Sequence, residues 1–211
     1  MAEPPADSHW LSVARELRAL AQTGLAFTED RFDRQRYLRL RELSAEMLAR
    51  GSGEDYHRVL RVLGADAGYA TPKVDVRGAA FSGGRILMVR EISDGLWTLP
   101  GGWADIHQSP AQCVVREIAE ESGFEARTIK LASVRDYHKS GHPPRSVDYI
   151  YKLFFICEIT GGAARASDET SEVAFFARDA LPPLSLGRVL EPEIEEMFRH
   201  VENPALPTHF E

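Results

Sequence analysis

Cysteine is scarce in this chain, long apolar runs are missing, and positive charge is in the minority. Only Cys113 and Cys157 occur among 211 residues. They have neither metal-pair spacing nor a secretory context, so reduced thiols are expected rather than a disulfide framework or a cysteine zinc site. No apolar stretch approaches the roughly 18 residues of a membrane-spanning helix. Residues Met1–Asp7 lack the charged-then-apolar order of a secretory signal, so the expected compartment is the cytoplasm. With 25 basic against 32 acidic residues, the formal net charge is −7. That balance disfavours a dedicated nucleic-acid binder, because phosphate contacts need basic surface. It leaves room for an anionic substrate, since a bound cation can supply the local positive charge. Internal repeats and low-complexity tracts are also missing.

What is present is 44% hydrophobic residues, enough for one full core and a small appendage. Up to about Ala67 the pattern is helical. Trp10, Val13, Ala14 and Leu17 form one stripe, ending at Gly24. Tyr37, Leu40, Leu43 and Met47 form a second, ending at Gly51, and Tyr56, Val59, Leu60 and Leu63 a third, ending at Gly64. Three such helices bury little by themselves, so they are expected to pack on the rest of the chain or on a second copy. The expected division is a helical domain over 1–67 and a second domain over 68–211. From Lys73 the period changes. Val74–Phe81 and Arg85–Glu91 read as a hairpin around Ser82-Gly83-Gly84. Further strands are expected over Thr128–Val134, Tyr149–Ile159 and Val173–Phe176, with a last helix over Pro192–Val201. Tyr149–Cys157 is apolar except for one lysine, as a central strand would be.

One segment carries chemistry. Ser109 can cap a helix, Pro110 suits its first position, Gln112 completes a capping box and Gly123 supplies a left-handed stop. Ala111, Val114, Val115 and Ile118 make its apolar stripe. Glu117, Glu120 and Glu121 project together on the other face. As like charges four apart, Glu117 and Glu121 cost roughly 0.2–0.5 kcal/mol. They also lie toward the helix C-terminus, where the dipole disfavours anions. Arg116 relieves part of that strain, and a bound Mg²⁺, which takes carboxylate and phosphate oxygens, would relieve the rest. Such a cation, bridged to a diphosphate, would stabilise the leaving group and acidify an attacking water, with a spare carboxylate to accept the proton. Cys113, one turn before Glu117, reads as a small half-buried residue.

At these positions the sequence resembles a Nudix hydrolase. Gly102, Arg116, Glu117, Ile118, Glu120, Glu121, Gly123 and Phe124 stand in the register of the Nudix box, after the Leu99-Pro100-Gly101-Gly102 turn. The first glutamate of the box is replaced by Gln108, which is expected to tune metal affinity rather than abolish catalysis. The resemblance implies an α/β fold, an α/β/α sandwich with a mixed sheet, preceded here by the small helical domain. It implies Mg²⁺, with Mn²⁺ as a substitute, held by Glu117, Glu120, Glu121 and the backbone carbonyl of Gly101 or Gly102. Glu117 is the candidate for activating water, and Arg116 would hold the glutamates in place. Glu169 or Glu172 would supply an additional carboxylate from a later loop, although a solvated loop explains them equally well.

Trp10, Ala21–Leu25, Phe32–Tyr37 and Gly68–Gly78 resemble a two-domain Nudix subgroup that cleaves nucleoside diphosphates linked to another moiety, with CDP-choline and ADP-ribose as leading substrates. In that subgroup the helical domain helps to form a dimer, so a homodimer is expected. Substrate contacts are expected from Arg90 and from the 136–146 loop, through His138, His142 and Arg145; Trp97 suits the core. Pro143 falls later after the box than the proline of ADP-ribose-specific subgroups, which weakens that assignment. Arg31, Arg34, Arg36, Arg39 and Arg41 enrich the second helix. RNA or substrate phosphate could be their partner, but a solvated face with inter-subunit ion pairs is the plainer reading. RNA-end processing and ligand sensing without cleavage are the rival functions; the retained glutamates disfavour the second.

Overall fold

A computed structural model of the chain describes residues 9–143 and 148–210. It divides into two compact units, one reaching to Pro72 and including Asp148, the other beginning at Lys73.

The first unit holds α1 (His9–Phe27), α2 (Arg31–Ser52) and α3 (Tyr56–Ala65). Leu11, Ala14, Ala45, Leu48 and Leu63 form its small core, with Trp10, Tyr56 and Leu60 packed against it. Asp30 caps α2 by accepting from the N–H groups of Phe32 and Asp33, and Asp55 caps α3. The helices do not end at the glycines that the sequence pattern marked. Gly24, Gly51 and Gly64 all lie inside helices, and α2 ends instead at Gly53, with φ +75°. A Cβ on Gly24 would lie 2.3 Å from the Tyr37 ring, and one on Gly51 would lie 2.1 Å from Trp10. These two glycines let a helix receive an aromatic ring from its neighbour.

The second unit is built on β1 (Lys73–Ser82), β2 (Arg85–Glu91), β3 (Trp97–Thr98), β4 (Phe124–Asp136), β5 (Ile150–Gly162), β6 (Thr170–Phe176) and β7 (His209–Phe210), with α4 (Pro110–Ser122) and α5 (Glu191–Glu202). These strands form one mixed sheet in the order β3-β2-β1-β5-β4-β7, with β6 on the other edge of β2. β1 and β5 run parallel from Lys73 opposite Ile150 to Phe81 opposite Glu158. Alternation assigns residues to two faces. Ala79, Ile86, Met88, Phe154 and Ile156 meet Ile194, Met197 and Phe198 of α5. Val76, Ala80, Leu87, Phe155 and Cys157 meet Cys113, Val114 and Ile118 of α4. This is the expected sandwich. β3 and β7, two residues each, are too short to show a period, and β4 starts at Phe124, directly from the box, with register shifts that blur its alternation.

One detail of the topology creates the site. β1 pairs with β2 at the hairpin end, Phe81 opposite Ile86 and Ser82 opposite Arg85, after which β2 continues against β6 and β3. The edge of β1 so released is taken by the turn before the box. Gly78 N–H donates to Pro100 O at 2.9 Å, Val76 N–H to Gly102 O at 2.8 Å, and Ala104 N–H to Val74 O at 2.9 Å. Gly78 also admits α4, since a Cβ there would lie 2.6 Å from Ile118 Cδ1.

Candidate active site

The glutamate helix is held at both ends. Ser109 Oγ accepts from Gln112 N–H at 3.2 Å while Gln112 Oε1 accepts from Ser109 N–H at 2.8 Å, a reciprocal cap that stabilises by about 1 kcal/mol. At the other end Gly123 adopts φ +77° and donates to Ala119 O. Burial of Cys113, Val114 and Ile118 then fixes the rotation of α4 and turns the carboxylates toward the Leu99–Ala104 turn.

Glu121 is buried, and its Oε2 accepts from Gly101 N–H at 2.9 Å. Its own carbonyl accepts from Thr170 Oγ1 at 2.6 Å. Burial pushes its pKa up to about 7, against the opposing charge of Arg77 and the Gly101 N–H, and Glu117 and Glu91 push it further the same way. Among the described residues its second oxygen receives no protein hydrogen bond. A charged Glu121 is therefore short of a cation. Glu117, with its side chain 14% exposed, is also raised, first by burial and then by Glu120, with Arg116 opposing.

Arg116 is the hub of the exposed side. It reaches Glu120 at 2.7 Å, Glu117 at 2.8 Å and Asp105 at 2.8 Å, and its Nε donates to Gln108 Oε1 at 3.1 Å. Arg116 is thus ion-paired with Glu117 and Glu120, and Gln108 stands in the same cluster. Asp105 is an addition. It returns a carboxylate to the loop in which the first box glutamate is missing, and it lies only three residues from Gln108. With Glu117 and Glu120 both drawn to Arg116, no three carboxylate, imidazole or thiol groups among the described residues converge as a metal site. The donor chemistry nonetheless suits a hard divalent cation, because it is all carboxylate oxygen and includes one buried carboxylate in no direct ion pair among the described residues.

Under the turn lies a buried charge cluster that the sequence reading passed over. Arg77 holds Asp75 through Nε at 2.9 Å and Nη2 at 2.7 Å, and donates through Nη1 to Leu99 O at 3.1 Å. Lys152 Nζ completes it at 2.7 Å from Asp75 Oδ1. Burial would raise the Asp75 pKa, but Arg77 and Lys152 outweigh it and hold it down at about 2. Glu91, at the end of β2, is a further buried carboxylate, raised by burial and partly compensated by Arg188. The available clue was charge inside strands that otherwise read as apolar.

The other expected contacts are distributed unevenly. Glu172 sits opposite Arg90 across β6 and β2, and the two form an ion pair at 2.5 Å. Arg90 also donates to Gly95 O at 2.8 Å, so the two residues engage each other. Glu169 is exposed, close enough to raise the pKa of Glu91, and its neighbour Thr170 bonds α4. His142 is not available for the expected substrate contact. It is buried, stacked on Tyr137 at 4.5 Å, with Nε2 2.9 Å from Glu193 and Nδ1 2.8 Å from Leu186 O. Both ring nitrogens are committed to the protein, which leaves no edge for a phosphate. His138 is half-buried, edge-on to Tyr137 and Tyr149. Arg145 lies outside the described residues. Trp97 packs edge-on against Phe176 at the core, and Cys113 and Cys157 are buried free thiols.

Comparison with known proteins shows the family. Residues 72–198 match the NUDIX domain, and residues 8–63 match the UDP-X-like N-terminal oligomerisation domain. The chain belongs to the Nudix hydrolases and carries that oligomerisation domain ahead of its hydrolase domain. It is 45% identical to YjhB of Bacillus subtilis, a protein provisionally assigned as an ADP-ribose pyrophosphatase, over 96% of this chain and 97% of YjhB. A crystal structure of a UDP-X diphosphatase is similar at 33% identity and TM-score 0.62, covering 96% of this chain and 98% of that one. An ADP-ribose pyrophosphatase from Streptococcus suis is similar at 37% identity and TM-score 0.61, covering 67% of this chain and all of that one. No helix among the described residues is long and apolar enough to cross a membrane.

Proposed function

We propose that this enzyme is a Mg²⁺-dependent pyrophosphohydrolase, with Mn²⁺ able to substitute, that cleaves the diphosphate linkage of a nucleoside diphosphate joined to a second moiety. ADP-ribose, a UDP-linked conjugate and CDP-choline are the substrates to test, the first two favoured by the relatives and the third by the sequence pattern. The observation that carries the reading is Glu121: a buried carboxylate beside Glu117 and Glu120 on one helical face, anchored to the glycine turn and in no direct ion pair among the described residues.

Glu117, Glu120, Glu121 and the Gly101 carbonyl are the groups that would hold the cation, with Glu169 as the added loop carboxylate to test first, because Glu172 is paired with Arg90. When bound, the cation supplies charge neutralisation at the diphosphate and acidifies water. Glu117 is the candidate to accept the proton of the attacking water, being half-buried with a raised pKa. Arg116 keeps Glu117 and Glu120 oriented. The water oxygen bonds to one phosphorus as the bridging P–O bond breaks, leaving two phosphomonoesters. The helical unit is assigned to homodimer formation, on the strength of its match to an oligomerisation domain. Arg36 and Arg39 are paired with Asp33, Glu42 and Glu46, which gives RNA little unpaired charge to bind on that face.

The test is phosphatase-coupled phosphate release across a panel of nucleoside diphosphate conjugates, with Mg²⁺, Mn²⁺ or chelator. Turnover of at least one conjugate, abolished by chelator, is expected. No turnover of any conjugate with either metal would sink the reading.

A further inference from the structure

The arginines of α2 separate by face. Arg36 bonds Asp33 at 2.5 Å, and Arg39 bonds Glu42 at 2.9 Å and Glu46 at 3.2 Å. Arg34 and Arg41 are seven residues apart and so share one face of the helix. Neither guanidinium group has an acidic or hydrogen-bonding partner among the described residues. Both line a cavity of about 210 Å³ within the helical unit, together with Leu38, Leu63, Arg18 and Asp66. Arg18 is committed, at 2.7 Å to Asp66 and 2.6 Å to Asp148. The uncommitted positive charge of the cavity is therefore that of Arg34 and Arg41. The Nε of Arg41 is moreover a buried donor with no acceptor. Leaving such a group unmet costs free energy, and native proteins satisfy it with water, an ion or a ligand.

We propose that this cavity is a second ligand site, in which Arg34 and Arg41 bind the phosphate of a small phosphomonoester. Planar guanidinium groups suit phosphate through paired N–H donors. The volume fits that class: at ~30 Å³ per water it holds a phosphate with a short organic body, and it falls below the roughly 300 Å³ at which sites for larger ligands begin. The apolar walls would take the organic part. The assignment is independent of the hydrolytic reading, since it uses no residue of the box.

The test uses the full chain in chelator, where inorganic phosphate is titrated against chloride at constant ionic strength while Tm and binding heat are followed. A saturable rise in Tm with a measurable Kd is expected. Arg34→Met/Arg41→Met should weaken phosphate affinity about tenfold or more, and Arg36→Met/Arg39→Met should leave it unchanged. If the first double variant fails to fold, the exposed Arg34→Met alone decides, and unaltered affinity overturns the assignment. A wild type without a saturable response also overturns it. Light scattering separates the other source of an anionic group. An oligomer that dissociates in Arg34→Met/Arg41→Met, while the wild type ignores phosphate, would mean that a carboxylate of a second copy fills the cavity.

Discussion

Gly101 and Glu121 are joined by a 2.9 Å hydrogen bond from backbone N–H to carboxylate, and that bond ties the turn to the helix. The turn tolerates no side chain at this position. Gly101 has φ +145°, and a Cβ there would lie 2.0 Å from the Val76 carbonyl oxygen. Gly101→Ala must then either break the pairing of the turn with β1 or strain it. The expected loss is roughly 3 kcal/mol from the combined conformational and steric terms, together with most of the activity. Urea unfolding and turnover of the same preparation check this; a stable, active Gly101→Ala enzyme would refute the coupling.

Glu121→Gln separates function from stability. The pKa of Glu121 is raised from 4.5 to about 7 in the folded protein, so the folded state binds more protons than the unfolded state between those values. Its contribution to stability is full below pH 4.5 and is lost as pH rises through 7. Glutamine keeps an oxygen for Gly101 N–H and cannot ionise. In chelator at pH 8, Glu121→Gln is expected to be more stable than wild type by roughly 1–3 kcal/mol, with the difference vanishing near pH 4. Turnover should fall by several orders of magnitude, as it should in Glu120→Gln. Near-normal rates in either variant would remove these residues from the catalytic set, and equal stabilities at pH 8 would show that Glu121 carries no buried-charge penalty.

How far the site was legible depends on the range of each signal. α4 could be read completely, because Ser109, Pro110, Gln112 and Gly123 act within their own helix and the glutamates share its face. The helix ends of the first unit could not. Gly24 and Gly51 look like stops in sequence, and only the distant rings of Tyr37 and Trp10 explain them as contact points. His142 sits in a polar loop by sequence, yet it is buried by partners 44 and 51 residues away. Asp75, Arg77 and Lys152 belong to two strands that meet only through the β1–β5 pairing. Sequence alternation places such charges on a face but does not reveal that they neutralise one another. Asp105 was within reach, since Arg116 had an unfilled fork and the loop held a carboxylate near the altered position.

Gln108 offers a graded test of that cluster. Its Oε1 accepts from Arg116 Nε, while Asp105 already places one carboxylate on the same guanidinium. Gln108→Glu adds a charge where the cation is proposed to bind, without changing the side-chain length. The Mg²⁺ concentration for half-maximal rate is expected to fall several-fold, and the maximal rate to change by less than about threefold. If the metal dependence does not move in a Mg²⁺ titration, Gln108 acts on Arg116 alone.

Asp75 is ion-paired with two buried cations, Arg77 and Lys152. Replacing it with asparagine preserves shape but removes the carboxylate that both cations ion-pair with, and losing one partner of a buried ion pair costs roughly 3–5 kcal/mol. The turn should feel this as well, because Arg77 supports it through the Leu99 carbonyl. The pH dependence distinguishes charge from packing. The pKa of Asp75 is lowered from 3.8 to about 2, so its stabilisation is present above pH 3.8 and is lost as pH falls through 2. Wild type should therefore exceed Asp75→Asn by a nearly constant margin from about pH 5 to 8, and the margin should shrink toward pH 2. Urea midpoints across that range give the answer. A margin that stays constant down to pH 2 would mean that Asp75 stabilises by shape and hydrogen bonding rather than by its charge.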